Sequence, residues 1–313
     1  MNQPHEGARR MMRDWRLRTR TLALGPRTLV MGVVNVTPDS FSDGDQYARP
    51  ADAVAHALTL LDEGADLLDL GAESTRPGSQ AGGDAALSAD EEQARLLPVL
   101  RGILAARPTA IISVDTYKSE TARAALAEGA EIVNDVSGFG WDAMMAQVCA
   151  GRRCGVVLMH TRGRPEEWRA QPRLVPDDVM SAVRDGLAAS LDVALKAGVA
   201  AEAIVLDPGY GFGKRFDENY ALLARQAELL ALGRPLLAGL SRKSFLGHTL
   251  AGLHGGQDAA AGARETASVA ALVAAILHGA SMVRVHSVRP AVEAARIADA
   301  VLLAGNPAAS EPP

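Results

Sequence analysis

The sequence predicts an α/β protein, a (β/α)8 TIM barrel, and three observations carry that reading. The chain has 313 residues, about the ~250 of one such barrel with tails and insertions added. A unit recurs along it: an Ala-rich amphipathic segment stops at a glycine, and a short apolar run follows at once. Polar residues gather at the C-terminal ends of those runs, the barrel face on which active sites are built.

The units follow one another in order. Leu29 to Val36 is the first apolar run, and a helical pattern over 50–64 leads through Glu63-Gly64-Ala65 into a strand from Asp66 to Gly71. A helix over 89–106 precedes Ala110 to Asp115, and one over 118–128 stops at Glu128-Gly129-Ala130 before Glu131 to Val136. Helix 142–151 leads to Gly155 to His160, and helix 177–197 stops at Ala197-Gly198-Val199 before Ile204 to Asp207. Helix 217–232 precedes Pro235 to Leu240, helix 264–279 stops at His278-Gly279-Ala280 before Ser281 to His286, and helix 289–303 closes the series. Each glycine supplies the left-handed residue that ends a helix. The apolar runs are too continuous for half-exposed strands and fit a parallel sheet covered on both faces. One strand more or fewer would turn the barrel into an open doubly wound sheet.

Composition narrows the function. With 48% hydrophobic and 22% charged residues and a mean hydropathy near zero, the chain is an ordinary globular protein with no excess of charge to keep it disordered. Aromatics are 4%, so the core must be Ala, Val, Leu and Ile. The longest apolar stretch, Val269 to Leu277, ends at His278 and falls far short of the ~20 residues that cross a bilayer; no membrane partner is expected. A net charge of −5 argues against nucleic acid, whose phosphates need a basic surface. Any bound anion must therefore meet a local cluster of cations. Cys149 and Cys154 make neither a disulfide framework nor a metal-ligand spacing, which points to a reducing compartment, the cytoplasm. Of 32 basic residues only Lys118, Lys196, Lys214 and Lys243 are lysine. Residues 1–27 read as an Arg-rich N-terminal arm without the apolar core of a secretory signal, mobile or loosely docked to about Leu24. Residues 28–304 are the barrel and 305–313 a tail.

Polar residues inside a parallel strand need a reason. Here Asn35, Asp69, Asp115, Asn134, Asp135, His160, Asp207, Ser241, Arg284 and His286 all sit at strand ends. Singly, Asp69 or Asp135 reads equally well as a cap; together the set reads as a polar floor. The loop after the second strand, Gly71-Ala72-Glu73-Ser74-Thr75-Arg76-Pro77-Gly78, offers an Arg and hydroxyls suited to an oxyanion. The run Asp207-Pro208-Gly209-Tyr210-Gly211-Phe212-Gly213-Lys214 lacks the spacing of a dinucleotide fingerprint and reads as a compact wall presenting Asp207 and Phe212 to a flat ligand. Lys243, beside Arg242 in an Arg-preferring chain, reads as a slim donor in a confined pocket. Asp115, Asn134, Asp207 and Lys243 together match the edge of a planar heterocycle. Arg284 and His286, two apart and so on one face, add a positive patch for phosphate. A heterocycle bearing a polyphosphate fits this array.

These motifs, taken together, resemble a known family. Met31-Gly32-Val33-Val34-Asn35-Val36-Thr37-Pro38-Asp39-Ser40-Phe41-Ser42-Asp43-Gly44 closely resembles the first signature of the dihydropteroate synthases, and Glu73-Ser74-Thr75-Arg76-Pro77-Gly78 their second loop. Ser113-Val114-Asp115-Thr116, Asn134-Asp135-Val136-Ser137-Gly138, Met159-His160, Asp207-Pro208-Gly209, Ser241-Arg242-Lys243-Ser244 and Arg284-Val285-His286 resemble the remaining motifs in the same order. The resemblance implies a pterin-binding barrel of folate biosynthesis that joins (7,8-dihydropterin-6-yl)methyl diphosphate to 4-aminobenzoate, releasing diphosphate and forming 7,8-dihydropteroate. It implies small-molecule partners, Mg2+ as cofactor, a homodimer and a site of the kind that sulfonamides target.

By the same resemblance Asp115, Asn134, Met159, Asp207, Phe212, Gly239 and Lys243 hold the pterin, and Asn35 binds the metal. Thr75, Arg76, Arg284 and His286 hold the diphosphate. Phe41, Thr75, Pro77 and Ser241 edge the aminobenzoate site, with Lys243 beside them, and Asp115, Lys243 and Arg76 carry the catalysis. Two departures stand out: Asp45 replaces a usual glycine in the first loop, and Ser287 stands where the family commonly has Asp. A methyltetrahydrofolate-type methyltransferase shares the Asp and Asn floor, and a non-catalytic pterin-binding homologue would share it too. The intact second loop argues against both.

Overall fold

The computed structural model describes residues 12–36, 50–75 and 79–305. Phe41, Arg76 and Pro77, with the departure at Asp45, lie outside them. Two strands of the N-terminal arm, β1 (Arg13–Arg16) and β2 (Thr21–Leu24), come first. The apolar runs of the sequence then become β3 (Leu29–Asn35), β4 (Leu67–Gly71), β5 (Ile112–Asp115), β6 (Ile132–Asp135), β7 (Gly155–Met159), β8 (Ile204–Asp207), β9 (Leu236–Ala238) and β10 (Ala280–Val285). These eight close into a barrel in the order β10-β3-β4-β5-β6-β7-β8-β9, every pair parallel.

Closure leaves two faces to bury, and the period of two along each strand divides the side chains between them. Leu29, Met31, Leu67, Ile111, Ile132, Val157, Val205, Leu237 and Met282 fill the interior. Their sequence neighbours, among them Val30, Leu68, Ile112, Val133, Val156, Ile204 and Val283, pack outward against the helices. Those helices are α1 (Pro50–Asp62), α2 (Ala89–Ala106), α3 (Ser119–Ala127), α4 (Met145–Arg152), α5 (Pro176–Lys196), α6 (Phe216–Ala224), α8 (Glu265–Leu277) and α9 (Val288–Ala304), with a short α7 (Ser244–Thr249) inserted after β9. No described helix is long and apolar enough to cross a membrane.

Three expectations change. The arm is not loosely docked between residues 13 and 24. β1 and β2 pair antiparallel, with Trp15 opposite Leu22, and close the end of the barrel opposite the strand C-termini. Trp15, Leu17 and Leu24 are buried in the interior cluster. The Trp15 indole N–H donates to Ala203 O at 2.9 Å, Arg18 Nε donates to Ala130 O at 2.9 Å, and Thr19 N donates to Glu131 at 2.8 Å. Arginine-rich flanks hid a hairpin whose alternate residues are apolar.

Helix 217–232 is broken: α6 ends at Ala224, and Gln226–Leu232 continues as 3-10 helix. Gln226, fully buried, donates to Ala275 O and His278 O and accepts from Tyr210 Oη at 2.8 Å, and those bonds fix a buried turn that a straight helix would not reach. α4 starts at Met145 and not at 142, because the Asp142 carboxylate is taken by Ser119 N at 2.7 Å and Met144 N at 2.8 Å.

Candidate active site

Extending the inward register past the apolar layers places Asn35, Asp69, Asp115, Asn134, Met159, Asp207, Arg284 and His286 at the barrel mouth. Register pairs confirm the layers: Asp69 lies beside Ser113, and Asp115 beside both Gly71 and Asn134. Asp135 and His160 are one residue out of phase and point the other way, so they leave the polar floor that the sequence suggested. The Asp135 carboxylate accepts from Ser137 N and Oγ, each at 2.7 Å, and from Phe139 N at 3.0 Å, holding the turn after β6. Burial lifts it to about 6 against those three donors. The His160 ring lies against Gly186 of α5, where an added Cβ would come within 2.4 Å of it, and burial pushes its pKa well below the usual value.

The floor is organised by one guanidinium. Arg284 Nε donates to Asp69 Oδ2 at 2.6 Å and Nη2 to Asp115 Oδ2 at 2.7 Å. Asn134 Nδ2 donates to the same Asp69 oxygen at 2.9 Å. Although burial opposes its charge, the two carboxylates drive the Arg284 pKa upward. Burial raises Asp115 to about 7, with Asp69 adding to the rise and Arg284 pulling against it. The sequence assigned Arg284 to diphosphate; here two of its donor nitrogens belong to the floor.

Asp207, Lys243 and Phe212 form the facing wall. Asp207 Oδ1 accepts from Gly209 N at 2.7 Å, and burial raises its pKa. Lys243 Nζ lies 4.0 Å from the centre of the Phe212 ring. Burial, then Arg284, lowers its pKa to about 8. Phe212 also joins Ala81, Tyr117, Val136, Met159 and Trp141 in an apolar cluster that continues this wall, with Met159 beside Asp207 in the strand register. Gly239 leaves room here: a Cβ on it would stand 3.7 Å from Asp207 Oδ2 and 4.0 Å from Arg284 Cβ, so any larger residue would fill the space between wall and floor.

A buried lysine that the sequence had not assigned holds this wall. Lys214 Nζ donates to His160 O at 3.2 Å, Gly209 O at 2.8 Å and Phe212 O at 3.2 Å. Burial lowers its pKa to about 7, offset in part by Asp207. Gly209, at φ +68°, passes so close to His160 O that a Cβ would sit 1.9 Å away, and only glycine fits. Lys118 is tied likewise: its ammonium reaches Glu73 at 2.5 Å and Glu92 at 3.5 Å, and Glu73 also accepts from Leu87 N at 2.9 Å. That pair joins the base of the second loop to the loop after β5. The scarcity of lysine was the one signal in the sequence that marked both residues.

Ser241 and His286 meet at the rim, with His286 N donating to Ser241 Oγ at 3.2 Å and His286 Nδ1 lying 3.0 Å from it. Thr75 is half-buried at the start of the second loop. Thus Asp115, Asn134, Met159, Asp207, Phe212, Gly239, Lys243 and Arg284 converge on one opening, with Ser241 and His286 at its edge. The mouth offers carboxylates, an amide and an ammonium next to an aromatic and thioether surface, which suits a flat, polar-edged ring.

Known proteins resemble this chain in sequence and in fold. The profile of the pterin binding enzyme family covers residues 31–286. The dihydropteroate synthase of Mycobacterium leprae is 45% identical over 280 residues, spanning 88% of this chain and 94% of its own. The Xanthomonas albilineans dihydropteroate synthase solved with 4-aminobenzoic acid superposes with a TM-score of 0.81 at 40% identity, over 93% of this chain and 98% of that one. The Yersinia pestis enzyme solved in a sulfonamide drug complex gives 0.82 at 38% identity, over 92% and 98%.

Proposed function

Because this chain belongs to the pterin binding enzyme family, among its dihydropteroate synthases, we propose that the barrel mouth condenses (7,8-dihydropterin-6-yl)methyl diphosphate with 4-aminobenzoate to 7,8-dihydropteroate and diphosphate. The observation that carries the reading is the convergence of Asp115, Asn134, Asp207 and Lys243 on one mouth that Met159 and Phe212 also line.

In this reading Asp207 and Asn134 take the amino and amide edge of the pterin, while Lys243 donates to its ring acceptors. Met159 and Phe212 cover the faces of the ring, and Gly239 leaves the slot open. Asp115, fixed by Arg284, stands where positive charge develops as the methylene C–O bond breaks, and a preorganised carboxylate stabilises that charge without reorganising. The arylamine then forms the new C–N bond and releases its extra proton. Its approach is held in line by Thr75, Ser241 and, from outside the described residues, Phe41 and Pro77. His286, Thr75, Arg76 and the remaining face of Arg284 receive the diphosphate. Sulfonamides, as aminobenzoate mimics, would enter at the Ser241 edge.

Mg2+ fits the donor chemistry at Asn35. Its side chain ends β3 on the inward register and is half-buried, while no cluster of three or more His, Cys, Asp or Glu able to hold a metal occurs among the described residues. Asn35 would offer such an ion one amide oxygen, leaving the rest of an all-oxygen shell to substrate phosphate and water, the donor set that suits Mg2+. Such an ion supplies neutralisation of the leaving diphosphate.

A homodimer and a cytoplasmic location complete the proposal. Ile297 and Val301 of α9, one turn apart and so on one face, are 68% and 54% exposed on a helix packed against the apolar α8, apolar surface of the kind that marks association. Both cysteines are buried free thiols, in keeping with a reducing compartment. Sedimentation at equilibrium tests the dimer. The function is tested by diphosphate release with both substrates and Mg2+. Release that depends on 4-aminobenzoate supports a synthase; a silent homologue or a methyltransferase would show none.

A further inference from the structure

Three non-glycine residues among those described have positive φ, and one of them, Arg242 at +59°, stands between Ser241 and Lys243. A left-handed arginine persists only where its surroundings over-determine it, and here both its backbone groups and its side chain are held. Arg242 N donates to Ser268 Oγ at 2.9 Å, and Arg242 O accepts from Arg264 Nη1 at 2.9 Å. Its Nη2 donates to Ser287 Oγ at 3.1 Å, and that hydroxyl donates onward to Glu265 Oε2 at 2.9 Å. Arg242 Nε is 3.6 Å from the same carboxylate oxygen. Lys243 N donates to Leu240 O at 3.3 Å and closes the turn.

We propose that Arg242 is a positioning residue, clamped by Glu265 through the Ser287 hydroxyl, and that this clamp sets where Ser241 and Lys243 stand at the barrel mouth. Residues 241 and 243 leave opposite sides of the left-handed residue. Ser241 Oγ goes to His286, and the Lys243 ammonium goes over the Phe212 ring. If the turn relaxes, both shift together, although neither is hydrogen-bonded to Glu265. Arg242 and Glu265 side chains are 38% and 35% exposed, so the direct ion pair is screened and contributes little. The serine bridge, with a charged group at each end, is the stronger link. The clamp therefore acts on the geometry of binding while leaving the reacting groups intact. The inference rests on the synthase reading of the mouth.

The test is steady-state diphosphate release by the full chain with Mg2+ and both substrates, with thermal unfolding of each variant measured alongside. Glu265→Gln is expected to raise KM for both substrates about fivefold to tenfold, the loss of one charge-assisted link, with kcat changed less than about twofold. Adding Ser287→Asp to Glu265→Gln puts a carboxylate directly against Arg242 Nη2 and is expected to bring both KM values back to within about threefold. Arg242→Gly removes the clamp and relieves the left-handed backbone, so Tm stays level or rises while KM rises. That opposition is one a merely structural arginine would not produce, and it decides the matter should Glu265→Gln fail to fold. KM values unmoved in Arg242→Gly, KM losses that simply follow Tm, or no recovery in the double variant would each overturn the proposal. If the unaltered enzyme releases no diphosphate, the synthase reading falls first and takes this inference with it.

Discussion

Arg284 and Asp69, 215 residues apart in sequence, are locked across the single intervening strand β3, Nε to Oδ2 at 2.6 Å. Asp69 is fully buried and shares that oxygen with Asn134. It therefore orients both the guanidinium that grips Asp115 and an amide proposed to read the pterin. Without the Asp69 carboxylate, Arg284 keeps Asp115 but loses a charged acceptor at Nε, and Asn134 loses its partner; weakened buried bonds to a charged group cost about 1.5–3 kcal/mol each. Asp69→Asn is expected to lower stability by about 3 kcal/mol in urea unfolding. Its kcat/KM should fall on the order of 100-fold, the equivalent of about 2.7 kcal/mol.

Lys243 and Asp207 answer a different question. If they read the pterin, Lys243→Met or Asp207→Ala should weaken the affinity for a pterin ligand about 10- to 100-fold, the worth of one or two hydrogen bonds to a charged group. The fold should survive. Calorimetry with the pterin substrate measures this directly, and an unchanged Kd would remove both residues from the pterin site.

The pH profile follows from the two raised and lowered groups at the mouth. Asp115 must be ionised to stabilise developing positive charge, and with its pKa lifted to about 7 activity should rise as pH increases through that value. Lys243 must be protonated to donate, and with its pKa lowered to about 8 activity should fall as pH increases past it. A narrow bell in kcat/KM for the pterin diphosphate, with its limbs near those values, is the expected result, since kcat/KM reports the free enzyme. Asp115→Asn should abolish the acid limb together with most of the turnover.

The N-terminal hairpin is a stability element remote from the chemistry. Trp15→Ala removes a fully buried indole and its bond to Ala203 O, and a loss of about 3–5 kcal/mol is expected. Both KM values should be unchanged at temperatures where the variant is folded. A selective rise in KM without loss of stability would give the hairpin a part in the site instead.

Mg2+ dependence can be titrated. Chelation should suppress diphosphate release, and Asn35→Ala should raise the Mg2+ concentration needed for half-maximal rate several-fold, because one of few protein ligands is gone. An Asn35→Ala enzyme with an unaltered Mg2+ requirement would place the ion elsewhere.

Much of the site was legible because strand ends are short and their polar residues few. Asp115, Asn134 and Asp207 interrupt apolar runs where burial would otherwise be costly, and the structure brings all three to the mouth. Asp135 and His160 interrupt such runs equally well, yet face outward. Counting by two from Asn134 and Met159 separates them, but only once the strand phase is known. The hairpin was obscured by its flanking arginines, of which Arg18 turns its Nε to Ala130 O while Trp15 and Leu17 pack inward.

The sequence by itself determined the number and order of the barrel strands, the end of each that carries polar groups and the family of the chain, since all of these are written in local periodicity and short motifs. Only the tertiary structure decided that Arg284 serves two carboxylates, that Lys214 is spent on three carbonyl oxygens, and that Ser287 passes Arg242 on to Glu265. Those pairings join residues from different strands and loops. Their energies depend on burial and on separations of about 3 Å, quantities that exist only once the barrel has closed.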